Sequence, residues 1–151
     1  MTLLQYAAFT IYSDVVAPDR ISEALGVEPD QVSWRGSRST DPILPVTNIW
    51  SVEAHGTAHA DELVAELLDR LEPLTDRLAV LAADGACSLG ISLVRYFDTP
   101  GGSAEALSRD TDGRFTGASP EGFHLDLALL ARMIALGCDL DVDEYDSLDN
   151  R

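Results

Sequence analysis

The chain has 151 residues, and its 26 acidic against 10 basic residues give a formal net charge of −16 at pH 7. This length fits a single domain whose hydrophobic core needs neither a disulfide nor a metal to hold it. The negative charge disfavours binding to nucleic acid, whose phosphates require cationic side chains, and it disfavours adsorption to anionic membranes. It favours association with a basic partner.

The cysteines, the hydropathy and the N-terminus show no sign of secretion or of a membrane span. Cys87 and Cys138 both lie among apolar residues, so we predict two buried thiols. No stretch approaches the ~18 apolar residues of a membrane span, and residues 1–8 lack the basic start of a signal peptide. We therefore expect a cytoplasmic protein, with residues 1–146 forming one domain and residues 147–151 a polar tail.

The first predicted elements are a strand and a short helix. Residues 5–13 are apolar on both alternating faces and rich in aromatic and β-branched side chains, which predicts a central strand covered on both sides. Pro18 is preorganised for the first turn of a helix and Gly26 is a typical stop, so we predict a helix between them.

Two further strands flank a polar loop. Residues 32–36 predict a short strand, and residues 37–46, which include two prolines, predict a loop. Residues 47–54 predict a strand whose alternation places Trp50 on the apolar face.

The clearest helical pattern covers residues 58–71, where leucines and a valine recur on one face. Pro73 interrupts this pattern, and a second helical segment follows over residues 74–83. Residues 87–97 then alternate between apolar and small polar side chains, which predicts a half-buried strand.

Residues 98–122 form the longest irregular segment, with a predicted short helical turn at residues 103–107. Segments of this length in a compact domain are either mobile insertions or ordered functional loops, and both alternatives stay open.

After this segment, residues 123–125 predict a short strand, and Asp126 is a good N-cap for a helix over Leu127–Leu136. Arg132 is the single charge in that helix. The helix is therefore either buried on most sides or part of an oligomer interface, and the second alternative predicts a homodimer.

Residues 138–144 predict a last strand in which Leu140 and Val142 point inward. The outward-facing residues are Asp139, Asp141 and Asp143. The run resembles a calcium loop, but Glu144 and Asn150 occupy the positions where an EF-hand requires glycine and glutamate. The aspartates therefore form either a solvated face or a surface that binds a basic partner, and we predict no metal site.

The order of these elements predicts an α+β fold. The elements through residue 97 match the ferredoxin-like βαββαβ order, and a C-terminal strand–helix–strand unit extends it. We expect one mostly antiparallel sheet with helices on one face.

Patterns typical of catalysis are weak in this sequence. His55 and His59 have the spacing of zinc ligands on a helix, but a strand-to-helix turn separates them. The sequence contains no nucleophile elbow, phosphate loop or dinucleotide fingerprint. We predict no catalytic residue and no cofactor, and a non-enzymatic protein is favoured, although an enzyme stays open.

Tryptophan beside arginine is more informative, because this pair is typical of binding hot spots. Trp34 precedes Arg35, and Arg35 with Arg38 is suited to hold an anion. Trp50 is the other candidate for stacking on a ligand. Packing of both tryptophans in the core or at its rim is the alternative.

Short motifs are spread along the chain: FTI at 9–11, PDRISEALGVEP at 18–29, RG at 35–36, WSV at 50–52 and LGCDLDVDEY at 136–145. With these motifs the sequence resembles a bacterial family, domain of unknown function 4279, over nearly its whole length. The resemblance implies a small cytosolic α+β domain and brings no established reaction, cofactor or catalytic residue. An immunity or antitoxin role follows only by analogy with other small acidic bacterial proteins.

Two functional hypotheses follow. The first is a non-enzymatic, immunity-like protein-binding module whose outward aspartates and Tyr145 bind a basic partner. The second is a regulatory domain that binds a small molecule in a cleft beside residues 98–122, with contacts from Trp34, Arg35 and Trp50.

Overall fold

A computed structural model describes residues 2–56, 59–98, 108–109, 115–116 and 123–146. The strands are β1 (Thr2–Ser13), β2 (Gln31–Ser33), β3 (Ser39–Thr40), β4 (Ile43–Leu44), β5 (Asn48–Gly56), β6 (Ser88–Asp98), β7 (Ser108–Arg109), β8 (Phe115–Thr116) and β9 (Asp139–Asp146). The helices are α1 (Pro18–Leu25), α2 (Ala60–Leu71), α3 (Thr75–Ala82) and α4 (Leu127–Leu136). A 3-10 turn, Glu72–Leu74, joins α2 to α3 at the predicted proline interruption.

Five of the strands form one sheet in the order β2-β5-β1-β6-β9. The central strand β1 pairs antiparallel with β5 and β6, and β2 pairs antiparallel with β5. These four strands have the order and directions of a ferredoxin-like sheet, and β9 extends it by pairing parallel to β6. The predicted α+β fold with a mostly antiparallel sheet is confirmed.

The core lies between the helices and one face of this sheet. Phe9 and Ile11 of β1 and Ile91 and Leu93 of β6 point into it and are fully buried or nearly so. The predicted apolar face of α2 packs against them, with all of its members buried: Leu63, Val64, Leu67, Leu68 and Leu71. Burying one such large apolar side chain contributes about 1.5–3 kcal/mol, so this layer supplies most of the stabilisation.

The first helix begins and ends where the sequence predicts. Pro18 is its first residue, and Gly26 ends it in the left-handed region at φ 71°. Glycine adopts this conformation without a Cβ clash, and its N–H donates to the Ser22 carbonyl at 2.8 Å. A Cβ on Gly26 would also lie 2.8 Å from the guanidinium of Arg77, which reaches from α3 to the Leu25 carbonyl.

The strand β1 is central, as predicted, but no described helix covers its second face. Tyr6, Ala8, Thr10 and Tyr12 lie there, because they alternate with the core residues. All four described helices pack on the opposite face, yet Ala8 and Thr10 are buried, so the predicted burial of both faces of β1 holds at these two positions without a described helix over them.

Three local predictions also differ from the structure. Residues 34–36 form a turn instead of continuing β2, and the predicted loop at residues 37–46 contains the small β3–β4 hairpin. Residues 123–125 have no strand partner, so α4 and β9 remain of the predicted strand–helix–strand unit. The helical turn at residues 103–107, most of the 98–122 segment and the tail 147–151 lie outside the described residues.

Helix α4 is not buried on most sides, so that alternative is wrong. Met133 and Leu136 are buried, whereas Leu127 is 84% exposed and Ile134 is 77% exposed. Asp126 caps the helix as predicted, accepting the Leu129 N–H at 2.8 Å. The oligomer-interface alternative, and with it a homodimer, stays a prediction.

The two cysteines are free thiols. Cys87 is buried, as predicted, and Cys138 is partly buried against the core. Burial raises the pKa of both thiols, that of Cys138 to about 11. In the described part of the chain, no helix has the length and apolar character needed to cross a membrane.

Candidate functional site

Alternation along the strands leaves the second side of the five-stranded sheet without a helical cover in the described structure. We call this side the open face. Its residues are Tyr6, Ala8, Thr10, Tyr12, Gln31, Ser33, Ile49, Ser51, Glu53, His55, Ser88, Gly90, Ser92, Val94, Tyr96, Asp139, Asp141, Asp143 and Tyr145. They belong to all five strands, so only the register of the sheet brings them together.

The middle of the open face is a floor of small residues. Gly90 lies between Thr10 and Asp139 in register, and Ser92 lies between Ala8 and Asp141. A Cβ added at Gly90 would meet no heavy atom of the described residues within 4 Å, so the described part of the chain leaves space above this position. Along β1 the larger side chains of Tyr6 and Tyr12 stand on either side of this floor, which is therefore a shallow trough.

Aromatic rings stand at one end of this trough. Tyr6 and His55 are paired across β1 and β5 and their rings stack, with centroids 5.1 Å apart. Tyr96 and Tyr145 are paired across β6 and β9 and stack at 5.3 Å. Such rings offer flat surfaces and, in tyrosine, a negative face that attracts cations.

Carboxylates line both sides of the trough. Asp139, Asp141 and Asp143 are exposed along the edge strand β9, as predicted for the outward positions of that strand. Glu53 stands on β5 at the opposite side, and its Oε2 accepts a hydrogen bond from Nε2 of the His55 ring at 2.6 Å. Among the described residues, the open face carries these carboxylates and no arginine, so its charge is negative.

The pKa of Tyr6 reflects this setting. Burial raises it above the ordinary value for tyrosine, and the nearby Tyr96, Glu53, Tyr145 and Asp143 raise it further. The phenol therefore stays protonated to higher pH than a free tyrosine and keeps its O–H as a hydrogen-bond donor. A cation placed between these groups would lower that pKa again.

The structure separates the predicted site residues into two groups. Asp139, Asp141, Asp143 and Tyr145 share the open face at the β9 edge, whereas Trp34 and Arg35 follow β2 at the opposite edge of the sheet. Trp50 belongs to neither group, because it is fully buried and its Nε1 donates to Ser22 Oγ at 3.0 Å. Its register position beside Ile11 points it toward the helices, so a ligand-stacking role for Trp50 does not fit this structure.

Sequence reasoning missed Tyr6, Glu53, Gly90 and Tyr96 as site residues. A signal for them exists, because small and tyrosine side chains alternate with apolar ones along both central strands. That signal marks a face, but it does not say which positions of different strands become neighbours.

A second concave region lies at the other end of the open face. Its volume is about 330 Å³, and the residues lining it are Tyr12, Ser13, Asp14, Val15, Thr47, Asp84, Gly85, Ala86 and Ser88. Buried Ser13 holds its wall together: its Oγ donates to the Ala86 carbonyl at 2.6 Å and accepts from the Val16 N–H at 2.8 Å. The two aspartates give this cleft a negative charge as well.

The histidines with zinc-ligand spacing serve different local roles. His55 contacts Glu53 and Tyr6 on the open face, whereas His59 precedes α2 and its N–H donates to Glu62 at 3.1 Å. Within the described residues, no three or more His, Cys, Asp or Glu side chains are grouped so that they could hold a metal ion.

Comparison with known proteins gives a family and nothing more specific. No curated protein and no solved structure matches the chain. A family model described as a domain of unknown function (DUF4279) matches residues 4–147, which includes β1 from residue 4, the other four strands of the five-stranded sheet and all four described helices. The chain therefore belongs to the DUF4279 family.

Proposed function

We propose that this protein is a non-enzymatic binding module of the cytoplasm whose open face binds a basic protein partner. The observation that supports the proposal most strongly is the combination of carboxylates, tyrosines and a small-residue floor on one sheet face that no described helix covers. A solvated acidic surface alone needs neither the stacked rings nor the trough.

The chemistry of this face suits arginine and lysine side chains. A guanidinium or ammonium group gains ion pairs with exposed carboxylates and cation–π contacts with tyrosine rings, the latter worth about 0.5–2 kcal/mol each. The net charge of −16 would also accelerate encounter with a basic protein at low ionic strength. An immunity or antitoxin role fits these properties, with a basic toxin as the partner.

A charge-matched pair of variants tests the proposal. The first removes the acidic edge by Asp139→Asn, Asp141→Asn and Asp143→Asn. The second is the control, with Glu28→Gln, Glu66→Gln and Asp76→Asn, which are exposed positions outside the open face. Both variants lose the same amount of negative charge, so a difference between them depends on position and not on net charge.

The wild-type protein and both variants are immobilised and presented with extract from the native host at low and at high salt. We expect the wild type and the control to retain the same basic protein at low salt and to release it at high salt, and the first variant to lose it. Equal retention by both variants, or recovery of no basic protein by the wild type, would contradict the proposal.

The alternative is a regulatory domain that binds a small molecule. The cleft beside Asp14 and Asp84 supports it, because its volume of about 330 Å³ lies at the lower end of the range for ligand pockets. Its two aspartates favour a small amine over an anion. Thermal stabilisation by a member of an amine library, lost in Asp14→Asn, would favour this alternative over the first.

A further inference from the structure

The segment between β2 and β5 carries a net positive charge, whereas the molecule as a whole is strongly negative. We call residues 34–46 the basic hairpin; it contains the β3–β4 pair together with Arg35 and Arg38. Four described arginines outside it form ion pairs with carboxylates: Arg20, Arg70, Arg95 and Arg132. Arg77 donates to the Leu25 carbonyl at the end of α1.

Arg35 and Arg38 differ from the first four arginines, because neither forms an ion pair with a described residue; in this they resemble Arg77. On a chain with 26 acidic residues, this is unexpected if the two side chains served only to neutralise nearby charge. Their guanidinium groups are exposed and remain available to a carboxylate from outside.

The backbone that carries them is fixed by hydrogen bonds. The Arg38 N–H donates to the Leu44 carbonyl and the Gly36 N–H to the Pro45 carbonyl, each at 2.9 Å. The Arg35 N–H donates to Oδ1 of the buried Asn48 at 2.8 Å, and its side-chain Nε donates to the Val46 carbonyl at 2.9 Å. These bonds hold the base of the Arg35 guanidinium while its two terminal nitrogens stay unused by described carboxylates, which is a preorganised arrangement.

Large apolar side chains surround the two arginines. Trp34 is 44% exposed and Val46 is 64% exposed, and Ile43 and Leu44 on the hairpin strands are also exposed. Exposed tryptophan beside arginine is the composition of binding hot spots.

We propose that the basic hairpin binds a short acidic and apolar peptide segment of a protein partner. Carboxylates of the segment pair with Arg35 and Arg38, whose planar guanidinium groups match carboxylates in two-point hydrogen bonds. Apolar side chains of the segment cover Trp34 and Leu44.

The overall charge selects among anionic partners. A polyanion such as nucleic acid, or a vesicle of anionic lipid, would be repelled at long range by a molecule of charge −16. Two arginines balance the one or two negative charges of a short peptide. The apolar residues of the hairpin can be covered only by a ligand that has apolar side chains of its own. This surface lies at the β2 edge, with three strands between it and β9, so the inference does not depend on the function proposed for the open face.

Indole N–H signals in an NMR spectrum of ¹⁵N-labelled protein test the proposal, because the chain has only two tryptophans. Trp34 is exposed in the hairpin and reports on binding, whereas the Trp50 indole is buried against Ser22 and serves as an internal control. The probes are a blocked Leu-Glu-Leu-Glu peptide, its Leu-Gln-Leu-Gln counterpart and inorganic phosphate. We expect the glutamate peptide to shift the Trp34 signal and leave the Trp50 signal in place.

Two variants with the same charge change complete the test. Arg38→Gln should weaken binding of the glutamate peptide by about tenfold or more, whereas Arg20→Gln, at an exposed position on α1, should leave it unchanged. The proposal is overturned if the glutamine peptide binds equally well, if phosphate alone reproduces the shift, if both variants bind alike, or if no probe moves the Trp34 signal.

Discussion

The two faces of the five-stranded sheet are made by alternating residues of the same strands, yet their side chains differ in size and polarity. On β1, Phe9 and Ile11 face the helices and are fully buried, whereas their neighbours Ala8 and Thr10 belong to the floor of the open face. The helix-facing side has the large apolar side chains that stabilise the fold. The other side carries carboxylates, tyrosines and small residues.

This difference separates stability from binding along a single strand. Every second side chain of a strand points to the same face of the sheet. The residues of one face can therefore change without altering the packing of the other. Substitutions at neighbouring positions should therefore have effects of different kinds, and the predictions below run from the largest expected effect to the smallest.

Phe9→Ala should cause the largest loss of stability. The side chain is fully buried between the sheet and the helices, so its removal leaves a cavity and should cost about 3–5 kcal/mol. Urea unfolding monitored by circular dichroism measures the change. A loss below about 1 kcal/mol would mean that the helix-facing side does not supply the stability attributed to it.

Cys138 gives a pH-dependent test at the boundary of the core. Its pKa is about 11 in the folded protein against 9.0 for an ordinary thiol, mainly because burial disfavours the thiolate. The folded state thus keeps a proton that the unfolded state releases, so stability is fully present below pH 9 and falls between pH 9 and 11. Since Cys138 is only partly buried, the loss is on the order of 1 kcal/mol.

The measurement compares wild type with Cys138→Ala across this pH range by urea unfolding. Tyrosines titrate in both proteins, so their difference isolates the thiol. We expect the wild type to lose stability more steeply than the variant, and parallel profiles would show that Cys138 makes no such contribution.

Gly90→Tyr should leave the fold intact, in contrast to Phe9→Ala. No atom of the described residues lies within 4 Å of a Cβ built at Gly90, and an aromatic residue suits a strand better than glycine does, so stability should change by about 0 to 1 kcal/mol in the stabilising direction. Urea unfolding measures this change in the free energy of unfolding. A loss of more than about 1 kcal/mol would mean that the floor is packed by something above it.

Ile134→Gln on the outer side of α4 should have the smallest effect on a monomer. The side chain is largely exposed, so the free energy of unfolding should change by less than about 0.5 kcal/mol. Sedimentation velocity on wild type and variant checks the homodimer prediction at the same time. A concentration-dependent dimer that the variant abolishes would support an interface at α4, and identical monomeric profiles would count against it.

Much of the fold follows from the sequence, because periodicity is local. A few neighbouring residues are enough to predict each of three elements. These signals are the proline and glycine that bound α1, the leucines of α2 and the alternation of β6. Trp50 shows that residue type alone is a poor guide to a binding site. The alternation of its strand places it on the apolar face, and this pattern, not the frequency of tryptophan in ligand contacts, predicts its position correctly.

The candidate site follows from the sequence only in part. Asp139, Asp141 and Asp143 alternate within one strand and were visible, but Tyr6, Glu53 and Tyr96 become neighbours through the register of β1, β5 and β6. Register depends on how distant segments pair, which no single stretch of sequence specifies. The β3–β4 hairpin was missed for a related reason, since its strands are two residues long and lie among prolines.

Affinity of the captured basic partner for Gly90→Tyr is the most direct test of the open face as a binding surface. The substitution changes no charge, so it separates contact with the trough from attraction by the acidic molecule as a whole. Val80→Tyr, at an exposed position of α3, adds the same side chain outside the open face and serves as the control. Our account predicts binding weakened by about tenfold or more for Gly90→Tyr and unchanged for Val80→Tyr; equal affinities of both variants and the wild type would contradict it.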